Sequence, residues 1–439
     1  MKPVPILMCC AALAAAQDTR NVVEPTIPAA CTTLTAAAFD ESRPDTKRIQ
    51  QALDECAPGK GVVLESLGSD NRFVSGPLDL RTGVTLVVSG GVTLLASTNP
   101  RDYDVEPGVC GTITEKGHGC RALINGNNVA NAGVMGDGII DGRGGEKIFG
   151  QRISWWDLAE AARKGGTQNN PRLMILNHCD NFTLYRIALK NSPNFHVSYT
   201  NGNGFTVWGV KVWSPRNARN TDGIDPGNST NVTVTHGWFH TGDDQIAIKA
   251  GHGAPTTHMT ISHNHFYTGH GMSIGSETDG GASAIRVSDL SIDGADNGIR
   301  IKSNSSRGGL VRDILYDDVC IRDTKNPIYM DTNYSFHGAE RDKLPIFEDI
   351  ALRNVRVEGG GKVTLDGFDT MHRLGMILDN VVFDDLPAIR LSAKEADIQV
   401  GPGPFNLPVT GPNVKVSGHP GAGAKSSCEG KFVPFAEPK

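Results

Sequence analysis

Short runs of alternating apolar and polar residues recur through the second half of the chain. Phe182-Thr183-Leu184, Phe205-Thr206-Val207, Val232-Thr233-Val234, Met259-Thr260-Ile261, Ile285-Arg286-Val287 and Val311-Arg312-Asp313-Ile314 form one series. Ile246-Ala247-Ile248, Met272-Ser273-Ile274, Ile299-Arg300-Ile301 and Ile328-Tyr329-Met330 form a second. Starts in the first series lie roughly 23 to 27 residues apart, and the second keeps a similar spacing, a period typical of a solenoid. Two-residue alternation over so few positions predicts short strands with one face turned inward. Helical patterns between the strands are absent, which argues against a doubly wound α/β fold. The pattern predicts an all-β, right-handed parallel β-helix, each strand pairing with its equivalent in the next coil.

A solenoid end needs a cover over its apolar interior and free strand edges. Residues 45–56 suit a capping helix. Asp45 or Thr46 offers an N-cap, and Ile49, Ala52 and Leu53 fall on one face. Val62–Leu64, Val84–Val87 and Val92–Leu95 read as the first coils, and Pro- and Gly-rich sequence from about residue 401 as an irregular tail. No linker interrupts residues 17–439, which read as one domain. The first 16 residues read as an export signal: Lys2, an apolar run, then Ala14-Ala15-Ala16. A buried N-terminal segment is the alternative. The run is too short to span a bilayer.

Composition narrows the picture. Among 439 residues, 52 are Gly, in keeping with many tight turns. A formal net charge of −6 excludes a basic nucleic-acid surface, so any polyanion must meet locally concentrated cations. Nine cysteines occur, seven of them after residue 16. Cys110 with Cys120, and Cys31 with Cys56, are candidate bridges for an exported protein, but connectivity stays open and one cysteine is odd. No ligand spacing points to a metal, and no cofactor is called for.

Four polar patches occupy matching places in successive coils: Asn220-Thr221-Asp222, Gly242-Asp243-Asp244, Gly269-His270-Gly271 and Arg300-Ile301-Lys302. Each alone reads as a turn or a solvated strand. Asn181 and Asn231 fit an internal asparagine ladder, and carboxylates could bind Ca²⁺. Mixed ionic types do not form a repeating ladder. Stacked about 4.8 Å apart, they form a stripe of carboxylates, imidazole and cations suited to acid–base work on an anion.

The strings NTDGIDP, TGDDQIAIKAG, TGHGMSIGSET and NGIRIKS resemble, in that order, the polygalacturonases of glycoside hydrolase family 28. CTTL at Cys31, SWWDLA at 154–159, PRLM at 171–174 and NSPNFHV at 191–197 extend the likeness, which is nearest to bacterial endopolygalacturonases. The resemblance implies inverting hydrolysis of α-1,4-galacturonosyl bonds, with carboxyls ≈ 6.5–9.5 Å apart to admit a water. By that likeness Asp243 is the general acid, Asp222 and Asp244 hold and activate water, and His270 adjusts the acid's protonation. Arg300 and Lys302 grip a galacturonate carboxylate, and Asn220 orients substrate. Lys249 reads either as another carboxylate contact or as a solvated lysine. Crowding of the carboxylates is expected to keep Asp243 protonated in mild acid. Asn326 stands where many fungal and plant members carry a tyrosine, and Tyr329 is a nearby alternative. Sequons at Asn181, Asn228, Asn231, Asn304 and Asn333 read as β-helix composition in a chain that its source leaves unglycosylated.

The implied protein is a secreted, monomeric endo-hydrolase of pectin. An exo-acting hydrolase, a pectate lyase and a non-catalytic wall-binding β-helix are the competing readings.

Overall fold

Inward apolar residues stack in continuous columns. Val197, Ile224, Ile246, Met272, Ile299 and Ile328 are successive register partners, and none is more than 2% exposed. Burial of this kind is worth about 1.5–3 kcal/mol per large side chain, which is why register is fixed coil after coil. The structure is a computed structural model and describes residues 17–335 and 342–437. The expected export signal, residues 1–16, lies outside the described residues.

The molecule is a parallel β-helix. Among the described residues, 21 strands form one long sheet and 11 form a second. The second runs, coil by coil, from Leu78–Asp79 to Ile389–Lys394, and every pairing in it is parallel. One hydrophobic cluster extends from Ala36 to Val409. Asparagines in the left-handed conformation turn several corners. Asn181 (φ 50°) donates to Asn131 at 3.3 Å, and Asn231 (φ 56°) donates to Asn203 at 2.9 Å. Both are the expected ladder residues, since Asn tolerates positive φ, but the ladder is not internal: Asn181 is exposed and Asn231 half-buried.

A helix at Thr46–Glu55 caps the N-terminal end and buries Ile49, Ala52 and Leu53. Neither expected N-cap side chain bonds the helix's own backbone amides. Asp45 accepts from the Val74 amide at 3.1 Å and pairs with Arg48, while Thr46 accepts from the Gly76 amide at 2.8 Å. These side chains fasten the cap to the adjoining coil instead. A second helix, Trp155–Ala161, begins with a capping box between Ser154 and Asp157.

Disulfides join Cys31 to Cys56, Cys110 to Cys120 and Cys320 to Cys428, and Cys179 is free and buried. The first two are the candidate bridges. The third ties the tail to the body. The tail is less irregular than its composition predicts, because Val414–Gly418 adds a parallel strand beside Ala396–Val400. It then returns along the outside of the coils. Lys431 pairs with Asp318 and Asp289, Tyr267 donates to Val433 O at 2.9 Å, and Phe435 packs edge-on against Tyr267 and His240. From the other end, Asp18 accepts from Thr233 and its amide donates to Thr260, and Glu24 accepts from Tyr185. No described helix is long and apolar enough to cross a membrane.

Candidate active site

The four patches come together because each occupies the turn or outward column of neighbouring coils. The Gly223 amide bonds Asp244 O at 2.9 Å, and the His270 amide bonds Asp243 O at 2.9 Å. Backbone hydrogen bonds therefore set Asp222, Asp243-Asp244 and His270 side by side. Arg300 lies in register with Ser273 and Tyr329, two residues before Lys302 on the same outward face. Glycines let the turns close. A Cβ on Gly242 would stand 2.1 Å from Ala218 O, and one on Gly271 (φ 88°) 2.2 Å from Gly298 O.

Asp244 is the most enclosed carboxylate, 1% exposed. Its Oδ1 accepts from Arg300 at 3.0 Å and from Ser273 at 2.8 Å, and its Oδ2 from Lys302 at 2.7 Å. Burial raises its proton affinity, but Lys302 and Arg300 outweigh this and hold it well below the usual carboxylate range. The expected anion clamp is thus turned partly inward: both cations are 5% exposed and already share Asp244.

Asp243 Oδ1 lies 2.8 Å from His270 Nδ1, and His270 Nε2 lies 3.8 Å from Asp296. The expectation that crowding keeps Asp243 protonated is corrected here. Burial pushes its carboxyl up, yet the His270 hydrogen bond, with His270 and Lys302 charge, brings it below the ordinary value. His270 moves the other way: burial lowers it, and the bond to Asp243 more than restores it. Crowding acts on Asp222 instead. Burial first, then Asp225 and Asp243, raise its carboxyl well above the usual range. Asp222 Oδ1 faces no protein donor.

Lys249 matches neither simple alternative. Its ammonium stands 3.7 Å from Asp225 and 3.8 Å from Glu277, a quarter exposed, and over the Phe195 ring at 5.5 Å. The series continues to Arg307, 2.9 Å from Glu277. Asn220 accepts from Gln168 at 3.0 Å and borders a cleft of about 390 Å³ that includes Lys116, His118, Arg172 and Arg219. The Trp155–Ala161 helix supports this edge, since Arg219 donates to Ala159 O at 2.9 Å.

Three contributors were not singled out from sequence. Asp225, in the outward column with Ser198, has both oxygens buried without a donor and is pushed up to about 7, chiefly by burial. Alternation from Ile224 could have marked it as outward, but not as enclosed. Tyr334 lies under both cations, 5.1 Å from Arg300 and 5.3 Å from Lys302. It sits past the last repeat unit read from the sequence, Ile328-Tyr329-Met330, where spacing gives no guide. Asp296, held by Arg216 and Lys325, faces His270 from the next coil. Tyr329 is 5.7 Å from Arg300 and donates to Asp331 at 2.6 Å. Asn304, the sequon nearest the stripe, is 1% exposed and hydrogen-bonded to Tyr334 O.

Asp243, Asp244 and His270 converge closely enough to invite comparison with a metal centre. Arg300 and Lys302 occupy the Asp244 oxygens, so the donor set suits proton transfer better.

A parallel β-helix with a carboxylate–imidazole–cation stripe along an outward strand column defines a class: a solenoid hydrolase of charged polysaccharide chains. The sequence model for Glycosyl hydrolases family 28 matches residues 68–385, and the chain belongs to that family. It is 39% identical to a polygalacturonase of Ralstonia nicotianae, covering 94% of this chain and 92% of the relative. It is 43% identical to an endo-polygalacturonase of Pectobacterium carotovorum subsp. carotovorum, covering 84% and 90%. The solved polygalacturonase of Erwinia carotovora ssp. carotovora superposes with a TM-score of 0.83 at 42% identity, over 87% of this chain and all of that one.

Proposed function

We propose that this chain is a secreted, monomeric polygalacturonase that hydrolyses α-1,4-galacturonosyl bonds within pectin by an endo-acting, inverting mechanism. Residues 17–439 form its single catalytic domain, and residues 1–16 its export signal. The observation that carries the reading is the contact of Asp243 with His270 beside an Asp244 already bound to Arg300 and Lys302. Three disulfides accord with an oxidising destination.

Asp243 delivers a proton to the glycosidic oxygen as the C1–O bond breaks. A water oxygen attacks C1 from the opposite face and gives its proton to a carboxylate, so the anomeric configuration inverts. Protons distribute over Asp222, Asp243 and His270 as one coupled set. An incoming galacturonate carboxylate adds negative charge beside Asp243 and draws the shared proton from His270 onto it. Neutral Asp243 removes one of the like charges that raise Asp222, after burial and Asp225; Asp222 passes its proton to solvent and, with Asp244, then serves the attacking water. Asp244, held low, stays ionised and orients the water. Arg300 and Lys302 present their remaining donors to a substrate carboxylate, Asn220 orients the sugar, and Lys249 lies within reach of a second carboxylate.

The test is purified protein on de-esterified polygalacturonate, following reducing ends and product lengths together. Early mixed oligomers with an inverted anomer are expected. Monomer alone would replace endo with exo action. Unsaturated, ultraviolet-absorbing products would identify a lyase, and no new ends a wall-binding protein.

A further inference from the structure

The sheet that carries the stripe does not stop at Asn297–Lys302. It continues through Asn326–Asp331, Gly361–Asp366 and Ile389–Lys394. Arg300, Tyr329, Thr364 and Ser392 are successive partners in one outward column. Lys362 and Arg390 stand two residues before Thr364 and Ser392, and therefore on the same face. They are also direct partners of each other across adjacent coils. At about 4.8 Å per coil, they lie on the order of 10 and 14 Å along the axis from Arg300.

Like charges directly opposed on neighbouring strands repel. The cations nearest the stripe are engaged: Arg300 and Lys302 by Asp244, Lys249 by Asp225 and Glu277, Arg307 by Glu277, Lys325 by Asp296. Lys362 and Arg390 are exposed, and neither side chain has a hydrogen bond or close ion pair among the described residues, although the Lys362 charge reaches Asp366 and lowers its carboxyl against the rise that burial causes. They border an open depression of about 800 Å³, whose lining holds three cations, Lys325 included, against one carboxylate, Asp323. Gly360 and Gly361 leave it open. At Gly361 (φ 145°) any Cβ would come within 2.7 Å of Pro327 Cδ.

We propose that Lys362 and Arg390 form a separate carboxylate-binding site for the polymer, taking galacturonate units beyond the bond that is cut, on the far side of Arg300 from Asp243. The proposal rests on the polygalacturonase reading and assigns these residues the grip on a long chain. The cleft near Lys116 and Arg172 lies at the other side of the stripe, so the polymer is held on both sides of the scissile bond. Such an arrangement favours cuts inside the chain over release from its end.

The test compares Lys362→Gln/Arg390→Gln with wild type on de-esterified polygalacturonate and on trigalacturonate, a substrate too short to span from the acid to Arg390. The ratio of kcat/KM on polymer to that on trimer should fall roughly three- to tenfold at low salt, as expected for two exposed ion pairs. The fall should shrink at high salt, and Lys362→Arg/Arg390→Lys should restore the ratio. An unchanged ratio would overturn the site. Binding of polygalacturonate to the same pair of substitutions in an Asp243→Asn background separates this site from the catalytic reading. Weaker binding there supports the site even if wild type proves not to hydrolyse the polymer, and equal binding refutes it.

Discussion

At the residue scale, the groove separates three aspartates by environment. Asp244 is neutralised by two cations, Asp243 is bound to an imidazole, and Asp222 is enclosed with like charge. Asp243→Asn should lower kcat by about 10²–10⁴ without changing the circular dichroism spectrum, because it deletes a proton donor on a groove surface; a near-normal rate would remove Asp243 from the acid role. Lys302→Ala should lower kcat as well as raise KM, since it also releases Asp244 from its partner. An effect on KM alone would mean that the ammonium serves substrate only. Asp225 supplies a test away from catalysis. Its folded carboxyl is raised to about 7 from an ordinary 3.8, so its contribution to stability is fully present below the unfolded value and is lost as pH rises through about 7. Asp225→Asn should therefore stabilise the protein at pH 8 by up to about 4 kcal/mol, less the lost pairing with Lys249, and change little at pH 4. Melting curves at the two pH values decide it. The stripe itself was legible because the solenoid period converts sequence spacing into adjacency. The direction of the Asp243 shift was not, because it depends on which oxygen His270 reaches.

At the element scale, strands and columns were readable from two-residue alternation, and the capping helix from Ile49, Ala52 and Leu53. The Trp155–Ala161 helix went unread although Ser154 and Asp157 carry its start signal. Seven residues are too few for helical periodicity to stand out. This short element steadies the groove edge through Arg219, and its box satisfies amides that would otherwise lack partners. Ser154→Ala should cost about 1 kcal/mol, read as a lower denaturant midpoint. An unchanged midpoint would mean that packing of Trp155 holds the helix without its cap. The missed caps at Asp45 and Thr46 follow a different logic: side chains at a solenoid end serve the next coil before their own helix.

At the scale of the whole molecule, sequence announced a solenoid but not how its ends are fastened. The Cys320–Cys428 bridge and the return of the tail depend on which coil lies beside which segment, and the repeat carries no record of that. The bridge closes a span of 108 residues. Replacing both cysteines with serine should destabilise the fold by about 2–5 kcal/mol and shorten its half-life on heating, while activity at room temperature persists. An unaltered half-life would mean that Lys431 and Phe435 hold the tail unaided. Solenoids fray from their ends, because each coil touches only its neighbours. Here Asp18 grips the coils of Thr233 and Thr260, and Phe435 reaches those of His240 and Tyr267. Both straps thus meet at the waist of the rod, in the coils that carry Asp243 and His270. Peeling either pole loosens its belt there, so the rod melts in one cooperative step, where an unstrapped stack would unravel coil by coil.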